Sequence, residues 1–134
     1  MMDEARNNRG RTAIVDASNV ANSAPAARAR LGYLLLLLER LREEGFQPIV
    51  VADAGLARRI DDPDGYAALV ADGTVIAAPP GVQADELILE LAGRHGAVVV
   101  SNDRFREWAD RYPAEVARRV GFRVRDGVAH LRGA

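Results

Sequence analysis

The sequence predicts a single α/β domain with a central, mainly parallel sheet and helices on both of its faces. Three observations lead there. Short runs of Val, Ile and Ala alternate with longer segments of helical periodicity. The runs are apolar throughout, as strands covered on both faces must be. A length of 134 residues, 49% of them hydrophobic, suits one packed core. Residues 1–10 are polar and read as a flexible tail ahead of a domain over 11–134.

The elements follow in order. Residues 12–15 form a buried strand ending at Asp16, and a polar loop follows it. A long helix is expected over 25–44, stopped by Gly45. Residues 47–52 form a second strand, which again ends at an acid, Asp53. Short helices are expected over 55–60 and 64–70, the latter framed by Pro63 and Gly73. Residues 74–77 make a third strand, and Pro79, Pro80 and Gly81 a turn. The periodicity of Leu87, Ile88 and Leu91 predicts a helix over 84–95, ended by Gly96. Residues 97–100 are the most uniformly apolar strand and lead into Ser101, Asn102 and Asp103. Helices are expected over 104–111 and 114–120, with final strands at 123–124 and 128–131 around an Asp126-Gly127 turn.

Composition excludes several chemistries. With no cysteine there is no disulfide, thiolate zinc site or cysteine nucleophile. All 18 basic residues are arginine, which removes a lysine-dependent phosphate loop and Schiff-base catalysis. Arginine does suit bidentate contacts to phosphate. The formal net charge of -1 gives no global positive field. No apolar run is long enough for a membrane span, and the start lacks a signal pattern, so a cytoplasmic protein is expected.

Parallel α/β sheets bind ligands beyond the carboxyl ends of their strands. On topology alone, Asp16, Asp53 and Asp103 share that edge, whereas Asp85 reads as the cap of its helix. Glu107 would stand about one helical turn beyond Asp103, near the same face. Singly, each acid has an ordinary reading as a cap, loop or solvated residue. Converging carboxylates repel unless a cation lies between them. An all-oxygen set favours Mg²⁺ or Mn²⁺, which would activate water and stabilise charge on a phosphodiester.

Three segments carry a resemblance. Residues 15–21, VDASNVA, resemble the opening of the NYN/PIN-like ribonuclease domains of the Regnase (MCPIP) type. Residues 85–92, DELILELA, are similar to that family's aspartate-led helix, and residues 99–107, VVSNDRFRE, to its most specific segment. The similarity covers roughly residues 12–110 in matching order. It implies a three-layer PIN-like fold and Mg²⁺- or Mn²⁺-dependent endoribonuclease activity on single-stranded or stem-loop RNA. Asp16, Asp85 and Asp103 match the metal-coordinating acids, Glu107 a further acid and Asn19 a polar residue of the first segment. The resemblance thus moves Asp85 into the metal site and leaves Asp53 an optional neighbour. Ser18 and Asn102 stand close by as supporting residues. Ala84 occupies a position where relatives often carry a second aspartate. The chain looks like a compact, stand-alone bacterial form, and a homodimer is one arrangement such domains adopt.

Arg58, Arg59, Arg104 and Arg106 are candidates for gripping an RNA backbone. Trp108 and Tyr33 read as core rather than as base-stacking platforms. His95 reads as a residue of a helix end, and His130 receives no role. Three rivals stand beside this reading. A toxin-type PIN nuclease would share the chemistry. A receiver-like signalling domain is disfavoured by the missing lysine. A non-catalytic RNA-binding domain is left open by Ala84.

Overall fold

The computed structural model describes residues 11–132; the tail expected over 1–10 lies outside them. Six strands form one sheet in the order β3-β2-β1-β4-β5-β6. They are β1 (Arg11–Asp16), β2 (Phe46–Ala52), β3 (Val75–Ala77), β4 (Val98–Val100), β5 (Arg119–Arg125) and β6 (Val128–Arg132). All neighbours are parallel except β5 and β6, which form an antiparallel hairpin. The helices are α1 (Ala17–Asn22), α2 (Leu31–Glu43), α3 (Leu56–Arg59), α4 (Pro63–Ala71), α5 (Ala84–His95) and α6 (Pro113–Ala117). The expected α/β fold with a mainly parallel, helix-covered sheet is therefore present. Among the described residues no helix is long and apolar enough to cross a membrane.

Strand alternation divides the core into two layers. Ala13, Val15, Val50, Ala52 and Val100 point to one face, where they meet Leu34, Leu37, Leu38 and Leu41 of α2. Ile14, Val51 and Val99 point to the other, against Ile88, Leu89 and Ala92 of α5. The leucines recur at helical spacing, so the chain's most apolar stretch becomes the buried stripe of one amphipathic helix. Helix α5 spans the predicted residues and ends at Gly96 in the left-handed region (φ 59°), a backbone state glycine adopts without strain.

Four expectations about elements are corrected. Asp16 leads into a helix, α1, rather than a loop, because its own carboxylate accepts the Asn19 N–H and caps that helix. The long helix begins at Leu31, not near residue 25. Ala29 is instead drawn into a parallel bridge with Ile60. Helix α2 then starts where the Leu31 N–H donates to Asp61 Oδ1 at 2.9 Å. The segment 104–111 holds only a 3₁₀ turn, Arg106–Trp108. Phe105 adopts left-handed backbone (φ 51°) to bury its ring, which stops an α-helix from starting there. Finally, β5 begins at Arg119, so residues 119–120 are strand rather than helix. Its hairpin turns at Asp126 and Gly127, both at positive φ as a two-residue turn of this hand requires.

Strand order places β1 and β4 side by side at the centre, with β2 and β3 reached on one side and β5 and β6 on the other. The chain direction of the crossovers reverses between β1 and β4. A crevice opens at such a switch point, beyond the carboxyl ends of the strands.

Candidate active site

The site is built at that crevice. Asp16 ends β1 and is 6% exposed. Its Oδ2 accepts from the Ser101 hydroxyl at 2.8 Å and its Oδ1 from the Asn19 N–H at 3.3 Å. Asp85 lies in the first turn of α5, half-buried. Asp103 is exposed beyond β4, and its Oδ1 accepts the Phe105 N–H at 2.8 Å. That bond closes a tight turn rather than capping a helix. Asp16, Asp85 and Asp103 line one cleft, together with Ser18, Asn19, Asp53 and Ala84. Ala84 thus leaves a real gap in the acidic wall. The neighbouring acid, Glu86, is turned away and held by Arg111 and the Tyr112 hydroxyl.

Ser101 is a functional residue that a pattern of acids in the sequence does not single out. Its side chain is fully buried, donates to Asp16 and accepts the Asp103 N–H at 3.1 Å. One hydroxyl therefore links the acid that ends β1 to the acid in the loop beyond β4. The signal was present as a lone hydroxyl residue directly after the apolar run of β4.

The supporting residues tie the strand ends together. The Ser18 hydroxyl accepts the Asp53 N–H at 3.2 Å, joining β2 to α1. Asn19 Oδ1 accepts the Asn102 N–H at 2.9 Å, joining α1 to the end of β4. The Asn102 amide extends the sheet: it donates to the Phe122 carbonyl at 3.0 Å and accepts the Phe122 N–H at 2.9 Å. Asn102→Ala should therefore destabilise the fold by about 1–3 kcal/mol, since it strands two backbone groups. A denaturant midpoint shift at unchanged slope would measure this, and an unshifted midpoint would contradict it.

The electrostatics are those of crowded carboxylates. Burial pushes the Asp16 carboxyl up to about 6; the Ser101 and Asn19 bonds offset part of this, and Asp85 and Asp103 add to it. Burial likewise raises Asp85, with Asp103, Glu107 and Asp53 acting in the same direction. The Trp108 N–H acts against this and favours the ionised Asp85 carboxylate. Asp53 behaves oppositely. Partial burial raises it, but the Arg59 hydrogen bonds and charge outweigh that and leave the carboxyl below its ordinary value.

The remaining candidates separate. Glu107 is exposed on the 3₁₀ turn and borders a recess adjoining the cleft, with Asp85, Asp103, Arg104 and Arg106. Arg59 is committed to Asp53 at 3.0 Å. Arg58 is exposed beside it. Trp108 is core, under Arg111 and against Tyr112, and Tyr33 packs on the other core layer.

Among the described residues no three Asp, Glu or His side chains stand close enough to enclose a cation by themselves. The donors are all oxygen and ring an open cleft, where Asp85 and Asp103 add to the proton affinity of Asp16 and Asp103 to that of Asp85. This set fits a hard divalent ion that keeps most of its own water. It does not fit a closed structural metal site.

The mainly parallel six-stranded sheet with helices on both faces is a PIN-like α/β fold. Residues 9–124 match the model of the Zc3h12a-like ribonuclease NYN domain, and the chain belongs to that family. Two solved structures of nuclear protein-only RNase P 2 (PRORP2) from Arabidopsis thaliana share the fold. One superposes with a TM-score of 0.71 and the other with 0.67, each at 20% identity over 90% of this chain. The chain spans 29% of the length of either. No protein of curated function matches it.

Proposed function

We propose that this ribonuclease domain is a metal-dependent endoribonuclease that hydrolyses phosphodiester bonds in single-stranded or stem-loop RNA. The observation that carries the reading is the placement of Asp16, Asp85 and Asp103 around one cleft at the β1–β4 switch point. Family membership supports the nuclease class. The donor set supports Mg²⁺ or Mn²⁺, held by these three carboxylates. When bound, such an ion supplies Lewis acidity at the phosphate and lowers the pKa of its water.

The chain's own residues do the rest. Ser101 and the Asn19 N–H fix the Asp16 carboxylate, so it meets a ligand without losing rotamer freedom at that moment. Ser101 also holds the Asp103 backbone at a set distance from Asp16. The first turn of α5 sits at the cleft with Asp85 on it, and the free N–H groups of a helix start favour phosphate oxygens. Glu107, which lines the adjoining recess with Asp85 and Asp103, is the candidate acceptor of the proton from water. Asp53 stays out of this chemistry because Arg59 holds it ionised and paired.

The test is cleavage of end-labelled single-stranded and stem-loop RNAs with Mn²⁺, with Mg²⁺ and with excess EDTA. Internal cuts that appear with either ion and vanish with EDTA are expected. Cleavage unaffected by EDTA would sink the metal assignment. Retention of RNA without cleavage under any condition would favour a non-catalytic binding domain.

A further inference from the structure

A second feature lies beside the acidic cleft and has opposite charge. A concavity floored by Asn102 and Gly121 is ringed by Arg104, Arg119 and Arg132, with no carboxylate in its lining. Arg104 also borders the acidic recess of Asp85, Asp103 and Glu107, so the two surfaces are continuous. Gly121 keeps the floor open. A Cβ there would come within 3.1 Å of Asn102 Oδ1 and 3.7 Å of an Arg119 guanidinium nitrogen.

Strand geometry extends this surface. Along β5, Phe122 is buried and Val124 partly buried against the α2 layer. The alternate positions Arg119, Gly121, Arg123 and Arg125 therefore face the other way. Arg132 pairs with Gly121 across the hairpin and shares its face. The other helical layer packs on Ile14, Val51 and Val99, strands inward of this hairpin. Four arginines thus stand on one uncovered strand face about 20 Å long. Arg119 spends one nitrogen on the Ser101 carbonyl at 3.0 Å, next to the acidic centre. None of Arg104, Arg119, Arg123, Arg125 or Arg132 makes an ion pair among the described residues. The one acid of the hairpin, Asp126, sits at its far turn. In a chain of net charge -1 this is a local concentration of unneutralised like charge. A polyanion threaded along it relieves the repulsion, and guanidinium forks match phosphate oxygens.

We infer that this arginine face of the β5–β6 hairpin is a binding track for the phosphodiester backbone of single-stranded RNA, leading over Arg104 into the acidic cleft. The inference rests on the ribonuclease reading and adds the path of the strand. Arg119 also supports Ser101, so Arg123 and Arg132, whose side chains make no hydrogen bond among the described residues, carry the test.

Binding is measured by fluorescence anisotropy on a labelled single-stranded RNA of about a dozen nucleotides, the scale such grooves cover. EDTA is present to prevent cleavage. Arg123→Glu with Arg132→Glu should weaken binding at least about tenfold at ~50 mM salt and flatten the slope of log affinity against log salt by about 1 to 2. Arg123→Lys with Arg132→Lys should recover most of the affinity. Arg94→Glu, at the far end of α5, should bind within about twofold of wild type despite the same change per residue. An unchanged affinity and slope in the Glu double variant overturns the track. So does equal weakening by Arg94→Glu, or displacement of the RNA by polyglutamate or phosphatidylserine vesicles at matched charge. If wild type cuts RNA with Mn²⁺ while the Glu variant keeps its affinity and KM, the track falls and the nuclease reading stands. If the Glu variant loses binding but wild type cuts nothing, the track stands and the nuclease reading falls.

Discussion

Asp103→Asn and Asp85→Asn should each lower the rate of RNA cleavage at saturating Mn²⁺ by on the order of 10³-fold, equivalent to roughly 4 kcal/mol of transition-state stabilisation. The Asn substitutions isolate charge. At position 103 an amide oxygen can still accept the Phe105 N–H, so the turn that follows β4 survives. Asp103 is also exposed, so its replacement should leave stability within about 0.5 kcal/mol. At position 85 the change removes a carboxylate that repels Asp16 and is repelled by Asp103, so the fold should be no less stable. A large rate loss in a protein of unchanged melting temperature is therefore the expected signature. A titration of Mn²⁺ separates two causes: a shifted midpoint with the rate restored marks lost affinity, and a reduced plateau marks lost chemistry. Either variant cutting within about threefold of wild type across the titration would remove that residue from the site.

The second large effect is on stability, and it follows from Asp16. Its carboxyl lies near 6 in the fold against 3.8 as the ordinary value. The folded state then binds the proton more tightly than the unfolded chain. Its stabilising contribution is complete below about 3.8 and is lost as pH rises through about 6, some 3 kcal/mol over the whole window. In EDTA the protein should therefore gain about 1–1.5 kcal/mol between pH 7 and pH 5, seen as a rise of several degrees in Tm. This is the reverse of ordinary acid destabilisation. Asp85 acts in the same direction, whereas Asp53 and the exposed Asp72, both held low, act in the opposite one below that range. Asp16→Asn should abolish most of the gain and be the more stable protein at pH 7 without metal. Millimolar Mn²⁺ should stabilise wild type at pH 7 and not the variant, because only the carboxylate attracts the ion. Identical pH profiles for wild type and Asp16→Asn would show that Asp16 does not titrate in this window.

Together these two results would separate the roles within one cleft. Asp16 is the buried, hydrogen-bonded member, costly to ionise and fixed in place. Asp103 is the exposed member, free to meet substrate from solvent. The difference arises because Asp16 belongs to a central strand and Asp103 to the loop beyond one.

Much of this was legible from local pattern. The apolar runs at 12–15, 47–52 and 97–100 announced buried parallel strands, and Leu87, Ile88 and Leu91 with Gly96 delimited α5 correctly. Period and punctuation are local properties, so a linear reading can recover them. The acids at strand ends were legible for the same reason, because parallel strands must bring their carboxyl ends together.

Other features needed the folded chain. Pro25 to Arg30 looked helical, but Ala29 found a better partner in Ile60, a strand-like bond no local pattern announces. Residues 104–111 carried helical periodicity, yet burial of Phe105 at positive φ outweighed it. Arg59 and Arg104 looked equivalent in the sequence. One is spent on Asp53, and the other stands unpaired among the described residues. Ser101, one hydroxyl spanning two acids, acquires its meaning only when β1 and β4 lie side by side. The gathering of acids at one sheet edge was thus determined by the sequence alone. Which acid is buried, which is paired away and which basic face adjoins them was decided by tertiary contacts, because charge and hydrogen-bond partners are set by distances through space.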